Sequence, residues 1–343
     1  MFHKNFAKMI ALALAAMTLT GTLAGCGSAA AGTDGAQSTA QQDTADKVYK
    51  IGISQFANHP SLDNCREGFI EGLKENGYEE GKNIEFVYQN SQADTSMSQQ
   101  IATQFVSSKV DMIAAIATPA AQFAYAAAEK AHTPVVYVAV SDPVGAGLTG
   151  EDGKSGKTIT GVSDLIPAEK QLQMIRAFLP DAKKIGILFS TGEVNSEAQI
   201  KLYEAAAPQY GFSIETSGIA TTADVALAAQ SLAAKVDCLV NLTDNTVVSA
   251  LATELDKANA AGIPVFGSEV EQVKNGCLAS EGIDYVALGK QAGAMAAKVL
   301  GGQDITKMPF ETVTEFSADV NTTALAKLGL TLPDAYKDAN KHE

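Results

Sequence analysis

Four short segments of the first half of this chain return, in order, in the second half. Lys50-Ile51-Gly52-Ile53 recurs as Lys184-Ile185-Gly186-Ile187, and Asn76-Gly77-Tyr78 is answered by Gln209-Tyr210-Gly211-Phe212. Lys109-Val110-Asp111 recurs as Lys235-Val236-Asp237, and Thr133-Pro134-Val135-Val136 as Ile263-Pro264-Val265-Phe266. The offsets, 134 residues from Lys50 to Lys184, 126 from Lys109 to Lys235 and 130 from Thr133 to Ile263, are far longer than a solenoid period. They imply one domain plan used twice.

Within each copy, apolar runs of strand length alternate with longer stretches of helical period, the pattern of βα units around parallel sheets. Strands are expected at 48–54, 83–89, 110–116 and 134–139, then at 184–189, 212–217, 237–242, 263–267 and 277–280. Helices are expected to begin at Ser61, Asp94, Thr118, Pro167, Asn195, Thr222, Asp244 and Asp284. Most of these starts carry a side-chain oxygen that can cap free amides. The expected fold is α/β, with two similar Rossmann-like lobes joined by a multi-segment hinge. A glycine-rich run at 145–161 would take the chain across, and segments near 282 and 310 would bring it back. Several crossings allow a clamp to bend.

The amino terminus sets the location. His3, Lys4 and Lys8 precede an apolar run from Met9 to Leu19 that is too short to span a bilayer, and Leu23-Ala24-Gly25-Cys26 follows. This resembles a bacterial lipobox, which implies acylation at Cys26; an ordinary secretory signal with an incidental cysteine is the alternative. Two or three acyl chains, at ~0.8 kcal/mol per buried CH₂, would anchor stably on the outer face of the cell membrane. The next stretch is Gly, Ala, Ser, Thr, Gln and Asp without large apolar side chains, and reads as a disordered tether. The expected organisation is 1–25 leader, 26–47 tether, 48–161 with roughly 284–309 as the first lobe, 162–283 with roughly 310–330 as the second, and 331–343 as a tail.

Net charge and cysteines exclude several classes. The formal charge of −14 becomes −16 without Lys4 and Lys8, which argues against nucleic acid and against docking on anionic lipid through the protein surface. Cys65, Cys238 and Cys277 are odd in number and lack metal or disulfide spacing. No metal or cofactor is expected. Enzyme chemistry finds little support, since there is no Gly-x-Ser-x-Gly elbow and no phosphate loop. His59, in Asn58-His59-Pro60, reads first as a turn residue.

In open parallel sheets a ligand binds beyond the carboxyl ends of the strands, and in a two-lobed chain those ends would meet in a cleft. The loops there carry Ser54, Gln55, Ser61, Thr118, Pro119, Ala120, Asp142, Asn195, Ser196, Asp244, Asn245, Thr246, Glu269 and Asp284. Helix starts at Thr118 and Asn195 suit a ligand carboxylate. Asp142, Asp244, Glu269 and Asp284 can receive an ammonium group, although Asp244 and Asp284 serve equally as helix caps. Phe56, Phe123, Phe189 and Tyr285 are candidates for an aromatic wall or for core.

An ordered set of motifs carries a wider resemblance. Ser54-Gln55, His59-Pro60-Ser61-Leu62-Asp63, Thr118-Pro119-Ala120-Ala121-Gln122, Ser141-Asp142-Pro143-Val144, Gly161-Val162-Ser163-Asp164, Asn195-Ser196-Glu197-Ala198-Gln199, Asp244-Asn245-Thr246-Val247 and Gly282-Ile283-Asp284-Tyr285 resemble ABC-transporter substrate-binding lipoproteins of the tryptophan/tyrosine-binding type. The similarity spans 48–330. It implies a type I periplasmic-binding fold, acting as a monomer, that holds an aromatic amino acid and hands it to a permease with an ATPase subunit. It implies ligand contacts at Ser54, Ser61, Thr118, Asn195, Ser196, Asp244, Asn245 and Thr246. A sugar or nucleoside receptor on the same fold, disfavoured by the absence of Trp, and a sensor feeding a membrane kinase are the alternatives.

Overall fold

The computed structural model describes residues 47–150 and 157–343. Cys26, the leader and most of the tether lie outside these residues.

The first copy of the repeat builds β1 (Tyr49–Gln55), α1 (Pro60–Glu75), β2 (Ile84–Asn90), α2 (Thr95–Ser107), β3 (Met112–Ile116), α3 (Thr118–Ala128), β4 (Val135–Val138) and β5 (Ile159–Ser163). The second builds α4 (Ala168–Phe178), β6 (Lys184–Ser190), α5 (Val194–Ala206), β7 (Ser213–Ile219), α6 (Val225–Ala233), β8 (Cys238–Val240), α7 (Asn245–Ser249), α8 (Leu251–Ala261), β9 (Val265–Phe266), α9 (Val270–Lys274) and β10 (Ala279–Gly282). The chain then returns through α10 (Tyr285–Leu300) and β11 (Glu311–Thr312), and ends with β12 (Ser317–Asn321), α11 (Thr322–Lys327) and β13 (Asn340–His342).

Two parallel sheets result. The first runs β11-β5-β4-β3-β1-β2 and the second β7-β6-β8-β9, every pairing in both being parallel. Leu278 N donates to Val265 O at 2.7 Å and Gly267 N to Ala279 O at 2.9 Å, so β10, which pairs antiparallel with β12 in a three-stranded β10-β12-β13 sheet, lies beside β9. Both sheets therefore have the same doubly wound order, with the direction of winding reversing at β1/β3 and at β6/β8. The duplicated motifs fall at equivalent places: Lys50 and Lys184 in the first strand of each sheet, Asp111 and Asp237 before the third. Asp111 Oδ2 accepts Lys50 N at 2.8 Å, and Asp237 Oδ2 accepts Lys184 N at 2.8 Å. Each repeat thus preserves a carboxylate that ties the start of one strand to the start of its neighbour.

β1 and β3 are buried along almost their whole length because helices cover both faces, which explains their unbroken apolar runs. α1 and α10 cover one face of the first sheet, and Gly68, Gly72, Gly289 and Gly293 bring their backbones together. A Cβ on Gly289 would fall far inside contact distance of the Cys65 carbonyl oxygen, and one on Gly293 inside that of Phe69.

The first crossing falls later than the glycine-rich run. Ile159–Ser163 is a fifth strand beside β4, so the chain leaves the first sheet at 164–167, with return crossings at 283–284 and 313–316. Segment 310–330 is divided, since β11 joins the first sheet and β12 packs on the second lobe. The expected tail is also structured: β13 pairs with β12, Leu332, Tyr336 and Ala339 pack on the second core, and His342 Nε2 lies 2.7 Å from Asp319 Oδ1. Its apolar residues are too widely spaced to have signalled an element. Cys65, Cys238 and Cys277 are buried free thiols.

Candidate ligand-binding site

The carboxyl ends of the two sheets face one another across a cavity of about 20 Å³, room for about one water molecule. His59, Ser61 and Leu62 enter after β1, Thr118 after β3, and Ala139 and Ser141 after β4. The opposite lobe supplies Asn195 after β6, Thr243, Asn245 and Val248 after β8, and Glu269 and Gln272 after β9. Asp164 comes from the first crossing segment and Tyr285 from the start of α10. A second cavity, about 220 Å³, opens outward between α1 and α7–α9; it shares His59, Ser61, Val248, Glu269 and Gln272 and adds the apolar Pro60, Leu251 and Ala252.

Backbone strain marks the same place. Ala117 (φ 82°) and Ala139 (φ 59°) follow β3 and β4 in a region that non-glycine residues rarely adopt.

Two buried carboxylates line the central cavity. Asp164 Oδ1 accepts Ser141 Oγ and Oδ2 accepts the Tyr285 hydroxyl, both at 2.9 Å; burial pushes its pKa up, partly offset by these bonds. Glu269 caps α9, accepting Glu271 N at 2.6 Å and Gln272 N at 2.9 Å, and also takes Ser61 Oγ from the other lobe at 2.9 Å. Burial raises its pKa to about 7. No residue lining this cavity is lysine or arginine, and burial lowers the His59 pKa to about 4. A desolvated acid pair with no cation beside it favours a ligand that brings a positive charge.

The lobes are tied across the cleft. Ser141 Oγ lies 3.0 Å from Thr243 Oγ1 and accepts Gln199 Nε2 at 3.2 Å, and Asn64 Nδ2 donates to Glu271 Oε1 at 3.3 Å.

Of the residues expected at the site, Ser61, Thr118, Asn195, Asn245 and Glu269 line the cavity. Others sit behind it. Asp244 caps α7 through Val247 N at 2.9 Å and accepts Ser190 N and Ser196 Oγ, each at 2.6 Å; Ser196 is spent on that bond. Burial first, and Glu193 second, push the Asp244 pKa to about 8. Thr246 donates its amide and hydroxyl to Glu193, each at 2.9 Å. The Gln55 amide holds Ala57 O, Asp63 and Arg66. Ser54, Pro119 and Ala120 are buried outside the lining. Asp142 caps its own loop at Gly145 N, 2.8 Å away, and exposed Asp284 caps α10. Of the candidate aromatics, Tyr285 lines the cavity and Phe56 is core.

Asp164, Ser141, Thr243 and Gln272 were not singled out from the sequence as contacts. Asp164 and Ser141 did lie within the resembling motifs, but a carboxylate outside a helix start gives no separate local signal.

The family described as ABC transporter substrate binding protein matches residues 50–342. The Tyrosine-binding protein of Clostridioides difficile (strain R20291) is 38% identical over 325 residues, 94% of this chain and 92% of that protein. Among solved structures, an ABC domain from Streptococcus pneumoniae in complex with L-Trp superposes with a TM-score of 0.83 at 34% identity, covering 87% of this chain and all of that one. The ligand-free, open structure of a substrate-binding protein with adhesive properties from Clostridium difficile gives a TM-score of 0.65 at 38% identity, covering 86% and 99%. With the paired sheets and interlobe cavity described above, these matches establish that the chain belongs to the ABC transporter substrate-binding proteins, a family of binding proteins and not of enzymes.

Proposed function

We propose that this protein binds an aromatic amino acid between its lobes outside the cytoplasm and delivers it to an ABC permease with an ATPase subunit. The observation that carries the reading is the pair of buried carboxylates, Asp164 and Glu269, in a cavity whose lining contains no lysine or arginine. An α-ammonium group answers both. The ligand carboxylate is received by the free amides where α1 begins and by the Thr118 hydroxyl and free amides where α3 begins. The apolar side of the outer cavity suits a ring. The relatives support this ligand class, one being named for tyrosine and another holding L-Trp.

Closure accompanies binding in this reading. The higher TM-score to the Trp complex than to the open, ligand-free protein, at slightly lower identity, supports a closed arrangement of the lobes here. A ligand that bridges both lobes favours only that arrangement. Acylation at Cys26 holds the protein beside its permease, and the tether gives it reach. Loss of palmitate label in Cys26→Ala tests the anchor; full retention refutes it.

The decisive experiment is a thermal-shift and calorimetric screen of amino acids, sugars and nucleosides. A ligand specific for the native state raises the melting temperature by mass action. Tyrosine or tryptophan is expected to do so, and Asp164→Asn to weaken binding by about 3 kcal/mol, roughly a hundredfold, because one member of a buried ion pair is lost. A shift with sugars alone overturns the ligand class.

A further inference from the structure

The ring of His59 lines both the central and the outer cavity, is 8% exposed and makes no capping bond to α1. Its chemical state follows from the opposite lobe. Asn245 Nδ2 donates to Glu193 Oε2 at 2.6 Å; a carboxylate only accepts, so the orientation of that amide is fixed. Asn245 Oδ1 therefore faces His59 Nε2, 3.4 Å away across the cleft. An amide oxygen also only accepts, so Nε2 carries the proton. With the pKa lowered to about 4 by burial, the ring holds one proton at neutral pH. Nδ1 is then a bare acceptor, buried and without a hydrogen-bond partner among the described residues. Leaving such an atom unmet carries its full desolvation cost.

Asp164 and Glu269 suffice for the ammonium group of an amino acid, and its carboxylate has no proton to give. The remaining donor is on the side chain. We propose that His59 Nδ1 accepts a hydrogen bond from the ligand's ring, making His59 the residue that selects an aromatic side chain bearing an O–H or N–H donor over one that has none. The inference rests on the aromatic amino acid reading above. Under it, tyrosine and tryptophan satisfy Nδ1 and phenylalanine strands it.

The test is calorimetry of L-tyrosine, L-tryptophan and L-phenylalanine against the mature protein and His59→Phe, with thermal melts to establish folding. The wild-type protein should favour tyrosine or tryptophan over phenylalanine by at least about tenfold, since a polar site rejects the analogue that lacks its partner. His59→Phe should bring the ratio to within about threefold while keeping phenylalanine binding. Equal wild-type affinities for all three overturn the inference without a variant. So does a His59→Phe protein that weakens toward all three alike, which would place Nδ1 on the ammonium group. Failure of all three ligands to bind refutes the parent reading and this one with it.

Discussion

The two lobes share a strand order but hold their walls of the cleft by different means. In the first, α10 returns after the whole second lobe and locks onto α1 through Gly68, Gly72, Gly289 and Gly293, backbone against backbone. Its hydroxyl-bearing cleft residues are Ser61 on α1, Thr118 on α3 and Ser141 after β4. In the second, carboxylates do the positioning. Glu193 accepts Asn245 N at 3.0 Å, Asn245 Nδ2 at 2.6 Å, and Thr246 N and Oγ1 at 2.9 Å each, while Asp244 gathers the starts of α5 and α7 and the end of β6. Steric packing is indifferent to pH, whereas buried acids carry a desolvation cost that depends on it. One lobe is fixed by shape and the other by protonation and hydrogen bonding.

The largest effect should come from breaking the shape. Gly289→Val would drive a side chain into the Cys65 carbonyl and to within 2.9 Å of Phe69 N, and neither backbone can yield without separating α1 from α10. We expect a loss of roughly 3 kcal/mol or more, at the upper end of overpacking costs, read from urea midpoints. Gly192→Ala in the second lobe is the control, since its added Cβ meets only Ser190 Oγ at 3.8 Å; it should stay within about 0.5 kcal/mol. A well-tolerated Gly289→Val would mean that close helix packing is not what fixes the first lobe.

The same contrast explains what the sequence could reveal. The duplication and the βα alternation were legible because burial on both faces forces unbroken apolar runs and because the repeat sets their order. β5 escaped because it adjoins a glycine-rich loop and gains its meaning only from pairing with β4. β11, β12 and β13 are short and paired at long range. The site was harder. Asp244-Asn245-Thr246 at a helix start has the same local chemistry whether Asp244 caps or binds, and three donors around its carboxylate identify it as a cap in the fold. Asp164 became visible as a cleft acid only when Ser141 and Tyr285, far apart in sequence, closed on it.

A smaller effect should separate the lobes by pH. Glu254, on α8 in the second lobe, is fully buried beside the Asn241 side chain. Burial raises its pKa from 4.5 to about 7, and the neighbouring Asn241 offsets only part of this. Because the folded value lies above the unfolded one, the unfolded chain loses this proton first as pH rises. Its contribution is fully present below about pH 4.5 and is lost as pH climbs through about 7. Asp244 and Glu269 act in the same direction, so the protein should be more stable at pH 5.5 than at pH 8. Glu254→Gln removes one titration while keeping shape. It should raise stability at pH 8 by about 1–2 kcal/mol, less than the roughly 3 kcal/mol to which a rise from 4.5 to about 7 corresponds at about 1.36 kcal/mol per pH unit, and change little at pH 5. The difference between denaturation midpoints at the two pH values should shrink accordingly. An unchanged difference would show that Glu254 does not titrate on folding, and the pH dependence assigned to the second lobe would then rest on Asp244 and Glu269.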